Sequence, residues 1–147
     1  MAEDAMSAAF GEARAAEAHG EAPIGAAIAR AGVVIARAGN RTRADADPTA
    51  HAEMLAIRAA ARALGNERLT DCDLYVTLEP CAMCAGAISH ARLRRLYYAA
   101  PDAKGGAVEH GPRFFAQPTC LHRPEVYGGL RETEAAEMLR AFFRERR

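Results

Sequence analysis

The chain has 147 residues, half of them hydrophobic and 26% charged, a composition that excludes global disorder and suits one domain taken here as residues 1–147. Nineteen basic side chains balance nineteen acidic ones, so bulk electrostatic attraction to nucleic acid is excluded while a local basic patch is not. No apolar run nears the roughly 20 residues that cross a bilayer, and the N-terminus does not read as a signal peptide, so no membrane association, a cytoplasmic location and reduced cysteines are expected.

In chain order, Glu3 to His19 places Ala5, Ala9, Phe10, Ala13 and Ala16 at helical spacing, with Gly20 as a stop. Ile24 to Ala29 and Val33 to Ala38 are apolar runs around Ala31-Gly32, the pattern of a β-hairpin. Ala50 to Leu64 predicts a helix closed by Gly65. Leu74 to Leu78 predicts a buried strand. Pro80 is expected at the first position of a helix running through His90, followed by a strand near Leu96 to Ala99. Residues 101–124 hold much of the glycine and proline and predict loop. Val126-Tyr127 is a short strand candidate, and Arg131 to Arg146 a closing helix with Ala135, Met138, Leu139 and Phe142 on one face. Together these predict an α/β fold, three-layer α/β/α, with a mixed sheet of about five strands.

Two short segments carry chemistry, each where the chain enters a helix: His51-Ala52-Glu53 and Pro80-Cys81-Ala82-Met83-Cys84. Cys81 and Cys84, three apart, share a helix face, and a helix N-terminus favours thiolate. Two thiolates and one imidazole suit Zn²⁺, and three protein ligands leave the fourth tetrahedral position for water, as in a catalytic site. Glu53 is then a carboxylate free to carry protons. Residues two apart do not share a face of a regular helix, so His51 and Glu53 converge only if the metal lies at the helix mouth.

Plainer readings stand beside this one. Cys81 and Cys84 alone fit a thioredoxin-like redox pair. They also fit a closed structural zinc site completed by Cys72, Cys120 or another histidine, and His51 alone reads as an ordinary helix histidine. The joint pattern favours the open zinc site: a redox pair needs no His-Ala-Glu at an earlier helix start, and a structural site needs no adjacent free carboxylate. The arginines at 92, 94 and 95 and at 140, 144, 146 and 147 read first as solvated surface. Cys72 and Cys120 read as packing or loop cysteines, and His110 and His122 as surface residues.

H-x-E followed by P-C-x-x-C is the signature of zinc-dependent base deaminases. The sequence resembles, over nearly its whole length, the bacterial tRNA-specific adenosine deaminases of the cytidine deaminase-like superfamily. The matching segments are Pro23-Ile24-Gly25-Ala26, Asn40, residues 47–53, residues 74–87, Asp102-Ala103-Lys104-Gly105 and Phe142-Phe143-Arg144. The zinc motifs point to the superfamily; the Asp-Ala-Lys-Gly segment and the Phe-Phe-Arg ending point to the tRNA enzymes. Pro101 and the stretch 108–129 depart from the commonest pattern.

The resemblance implies that His51, Cys81 and Cys84 hold Zn²⁺, and that Glu53 moves protons between water, the ring nitrogen and the leaving amine. It implies that Asn40 and the Ala52 backbone meet the base, that Asp102 and Lys104 contact a neighbouring ribose and phosphate, and that Phe143 and Arg147 hold flanking nucleotides. The implied reaction converts adenosine to inosine at the wobble position of a tRNA anticodon stem-loop, and the implied assembly is a homodimer. Asn40 as a turn residue, Asp102 as a loop cap, Lys104 as a surface charge and Phe143 as core are the plain alternatives. The competing functions are deamination of a free base or nucleoside such as guanine, and a non-catalytic zinc-binding subunit, which the presence of Glu53 disfavours.

Overall fold

The computed structural model describes residues 4–146. Helix α1 (Ala5–Ala18) begins where the Asp4 carboxylate accepts the Met6 N–H at 3.0 Å. Its buried face carries Ala9, Ala13 and Ala16 around Phe10, and those small side chains let the helix backbone settle close on the sheet. Gly25 and Gly39 complete the fit. A Cβ on Gly25 would stand 2.0 Å from the Ala9 carbonyl oxygen, and one on Gly39 2.7 Å from that of Glu12.

Strands β1 (Gly25–Arg30) and β2 (Val33–Gly39) form the expected hairpin. Ala31 and Gly32 both take positive φ, 51° and 78°, the geometry that matches a tight two-residue turn to the twist of its strands. The register shifts between Ile28 and Ala29, which leaves Ile35 as a bulge. After helix α2 (Ala52–Leu64), strand β3 (Cys72–Leu78) pairs antiparallel with β1. Helix α3 (Ala82–Ala91) then leads to β4 (Arg95–Ala100), and a loop with one 3₁₀ turn at Phe114–Ala116 leads to β5 (Glu125–Gly128). β3, β4 and β5 are mutually parallel, and the sheet order is β2-β1-β3-β4-β5. Helix α4 (Glu132–Glu145) closes the described chain.

One apolar cluster fills the space between the sheet and α2 and α3, with Ile28, Leu74, Val76, Leu96, Ala56 and Ile88 at its centre. The other lies between the sheet and α1 and α4, around Phe10, Ala27, Ala99 and Ala135. Arg131 joins the two outer helices: its guanidinium lies 4.1 Å over the Phe10 ring and donates to Ser7 Oγ at 3.0 Å. The expected three-layer α/β/α arrangement with a mixed, five-stranded sheet is therefore met. No helix among the described residues is long and apolar enough to cross a membrane.

Element boundaries differ from expectation most at the chemistry-bearing segments. α2 starts at Ala52 rather than Ala50, and α3 at Ala82, so Pro80 precedes the cap residue instead of occupying the first helical position. The reason is local: His51 and Cys81 are the two N-cap residues, both with extended backbone (ψ 151° and 177°). These two helix mouths lie beside the C-terminal end of β3, the end of a parallel strand where α/β folds place ligands.

Candidate active site

Neither His51 nor Cys81 caps its own helix with its side chain. Being outside the helices, both are free to point across the gap between the two mouths. His51 Nδ1 lies 3.6 Å from Cys81 Sγ and 3.6 Å from Cys84 Sγ. The three ligating atoms fall within 4.8 Å of one another and can hold a metal ion. Zinc bonds of about 2.3 Å to sulfur and 2.0–2.1 Å to nitrogen, at a tetrahedral angle, put N and S about 3.6 Å apart, so the spacing and the donor set both fit zinc.

The two thiols are electrostatically unequal. A hydrogen bond from Cys84 draws Cys81 down to about 5 against the opposing effect of burial, helped by backbone N–H groups of Cys84 and Met83 and by His51. Cys84 moves upward, because it keeps the proton it donates and is itself buried. A metal would displace the protons of both.

Glu53 is 4% exposed and sits in the first turn of α2. Burial pushes its carboxyl up to about 7, with Cys81 adding to the rise; its own backbone N–H, His51 and a bond from Cys84 oppose it. The contact with Cys84 places the carboxyl at the mouth shared with His51, Cys81 and Cys84. A dication there would draw it back toward the ionised form. His51 and Glu53 thus converge although they are two residues apart, because only Glu53 belongs to the helix.

Asn40 is buried, and its Oδ1 accepts the Ala52 N–H at 3.1 Å. It supplies the cap that His51 does not. Asp102 caps a turn, accepting from Lys104 N–H at 3.1 Å and Gly105 N–H at 2.9 Å. Lys104 lines a second groove, of about 650 Å³, with Leu139, Arg140, Phe143 and Arg144. Phe142 turns inward while Phe143 is 55% exposed. The structure therefore gathers His51, Cys81, Cys84, Glu53, Asn40 and Ala52 at one centre and Lys104 with Phe143 at another. Arg147 lies outside the described residues.

Two histidines expected at the surface are half-buried and tie loops down. His110 Nδ1 meets Glu79 Oε1 at 2.8 Å, and His122 Nε2 meets the Leu93 carbonyl at 2.7 Å. Cys120 is buried beside Ser89, at 3.6 Å between Sγ and Oγ, and Cys72 is a packing thiol that burial pushes up to about 11. Glu79 falls within the matching segment 74–87, but no role for it was expected from the sequence. Burial alone would raise its carboxyl, yet backbone donors from residues 102, 108 and 109 and the His110 ring outweigh that and hold it below the usual range. A buried acid at the end of a strand, with Gly105-Gly106 and Gly111 downstream, was the available signal.

Residues 1–100 match the family described as the cytidine and deoxycytidylate deaminase zinc-binding region. A tRNA-specific adenosine deaminase from Agrobacterium fabrum is 64% identical over 142 residues, covering 97% of this chain and 93% of the relative. A solved structure from a study of A-to-I editing by tRNA:A34 deaminases at the wobble position of transfer RNA superposes with a TM-score of 0.90 at 63% identity, covering 92% of this chain and 98% of that one. The guanine deaminase of Bacillus subtilis is more distant, with 33% identity and a TM-score of 0.66 over 95% of this chain and 92% of that one. This chain belongs to the tRNA-specific adenosine deaminases, within the zinc-binding cytidine and deoxycytidylate deaminase family.

Proposed function

We propose that this protein hydrolytically deaminates adenosine to inosine at the wobble position of a tRNA anticodon loop, with zinc held by His51, Cys81 and Cys84. The observation that carries the reaction type is the buried Glu53 carboxyl at the mouth shared by those three residues. A closed structural site or a redox pair has no use for it.

Zinc held by His51, Cys81 and Cys84 would supply a Lewis acid able to make water a nucleophile at neutral pH. Glu53 accepts a proton from the attacking water and delivers it to N1 of the adenine ring as the new C6–O bond forms. It then carries the second proton to the exocyclic nitrogen, the C6–N6 bond breaks, ammonia leaves and the ring becomes hypoxanthine. A buried carboxyl held at that mouth serves both halves of this transfer, first as base and then as acid. With Oδ1 engaged by Ala52, Asn40 presents the –NH₂ end of its amide to an acceptor on the base. The Ala52 backbone forms the adjoining wall.

The RNA reading draws support from the second groove. Lys104, Arg140 and Arg144 are cations suited to phosphates, and exposed Phe143 is a surface on which a base can stack. Asp102 addresses a ribose, and the resemblance to the tRNA enzymes assigns Arg147 to a flanking nucleotide. A splayed anticodon base costs little to bring to the metal. Guanine deaminases share the fold, but a free base gives the Lys104–Phe143 groove nothing to hold. One domain spanning 1–147, a homodimer and a cytoplasmic location complete the proposal, and the resemblance to the tRNA enzymes supports them.

The test offers the zinc-loaded protein an anticodon stem-loop with a wobble adenosine, free adenosine, guanine and cytosine, and reads products by mass spectrometry. Inosine in the stem-loop alone is expected. Turnover of guanine alone would keep the zinc chemistry and overturn the RNA assignment.

A further inference from the structure

Glu79 lies between β3 and Cys81, with its side chain fully buried at 0% exposure. Its Oε1 accepts the Asp102 N–H at 2.9 Å and meets His110 Nδ1 at 2.8 Å. Its Oε2 accepts the N–H groups of Val108 at 3.1 Å, Glu109 at 2.9 Å and His110 at 3.1 Å. Every one of these partners comes from the 102–110 segment. An ionised carboxylate, acceptor-only with several lone-pair sites, is the side chain able to take that many donors at once.

The segment is shaped to the carboxylate. A Cβ on Gly106 would stand 2.6 Å from Glu79 Cδ and 2.5 Å from the Asp102 carbonyl oxygen. Gly111, at φ 54°, would meet the Gly106 carbonyl oxygen at 2.6 Å. The bond from Ala107 N–H to the Pro80 carbonyl, 2.9 Å, fastens the same loop to the residue before Cys81. At its outer end the loop presents Lys104 to the α4 groove.

We propose that Glu79 is a positioning residue: it fixes the loop bearing Asp102 and Lys104 in register with the turn bearing Cys81, and so sets how a bound RNA strand meets the metal centre. The inference rests on the RNA reading above. A misplacement of about 1 Å between binding and reacting groups costs about 10²-fold in kcat/KM, and this carboxylate, with the Ala107–Pro80 backbone bond beside it, spans the two.

The test uses the zinc-loaded full chain carrying Glu79→Gln, which keeps the shape but turns an amide –NH₂ against N–H donors. KM for the anticodon stem-loop rises about tenfold or more, kcat stays within about threefold, and zinc content is unchanged. Amide hydrogen exchange across 102–110 speeds up about tenfold or more while α2 and α3 keep their protection. His110→Ala, which leaves the backbone donors in place, gives a smaller KM rise in the same direction and carries the test if Glu79→Gln fails to fold. Unchanged KM, 102–110 amides as protected as in the wild type, or kcat falling together with zinc would each overturn the inference. Wild-type protein that leaves the stem-loop unmodified removes the RNA reading and the inference with it; wild-type turnover with an unaltered variant removes the inference alone.

Discussion

Asn40 Oδ1 accepts the N–H of Ala52, twelve residues further on, at 3.1 Å, and thereby caps a helix whose own N-cap residue is turned to the metal site. The exchange explains how one short segment supplies both a candidate metal ligand and a stable helix start. It also gives Asn40 two separable duties. Asn40→Ala removes the cap and costs about 1 kcal/mol of stability by thermal or denaturant unfolding. Asn40→Asp keeps an acceptor for Ala52 and restores that stability, but replaces the –NH₂ proposed to meet the base, so kcat/KM is expected to stay low. Recovery of activity together with stability in Asn40→Asp would leave Asn40 with the cap alone.

Removing the metal should weaken the fold as well as the reaction, because His51, Cys81 and Cys84, the proposed ligands, sit at the starts of two different helices. At free zinc of about 100 times its Kd, binding contributes about 2.7 kcal/mol. A strong chelator is therefore expected to lower Tm, and Cys84→Ser to lower zinc content and Tm together. A fully metallated Cys84→Ser protein with the wild-type Tm contradicts the ligand assignment.

The cations around exposed Phe143 predict a salt-dependent RNA term. Lys104→Ala, Arg140→Ala and Arg144→Ala each should weaken stem-loop binding and reduce the slope of log K against log salt by about 0.7, the value for a phosphate contact on a single strand. Arg147→Ala should behave likewise. Phe143→Ala should weaken binding by about 1–3 kcal/mol with little change in that slope. Equal losses on free adenosine would instead point to a defect in folding.

The parts of the site that lie close in sequence were legible from it. His51-Ala52-Glu53 and Pro80-Cys81-x-x-Cys84 carry their ligand types at short spacing, and the strands of the sheet follow from apolar runs bounded by Gly and Pro. Periodicity could not place His51 and Glu53 together, since their convergence depends on His51 taking extended backbone at ψ 151°. The same extension moved both helix starts later than their composition suggested. Glu79 and the cap role of Asn40 were not legible, because each is defined by partners reached only after the sheet forms: Asp102 lies 23 residues beyond Glu79, and His110 lies 31. His110 and His122 read as surface residues for the same reason.

The most direct measurement pairs turnover and zinc content on one preparation of Glu53→Ala. General acid–base catalysis by a positioned side chain contributes about 10²–10⁴-fold. Inosine formation in the stem-loop should therefore fall by about that factor or more, with zinc retained as in the wild type. Wild-type turnover by a metallated Glu53→Ala protein would contradict the account, and loss of zinc from that variant would make Glu53 a ligand or a structural residue instead of the proton carrier.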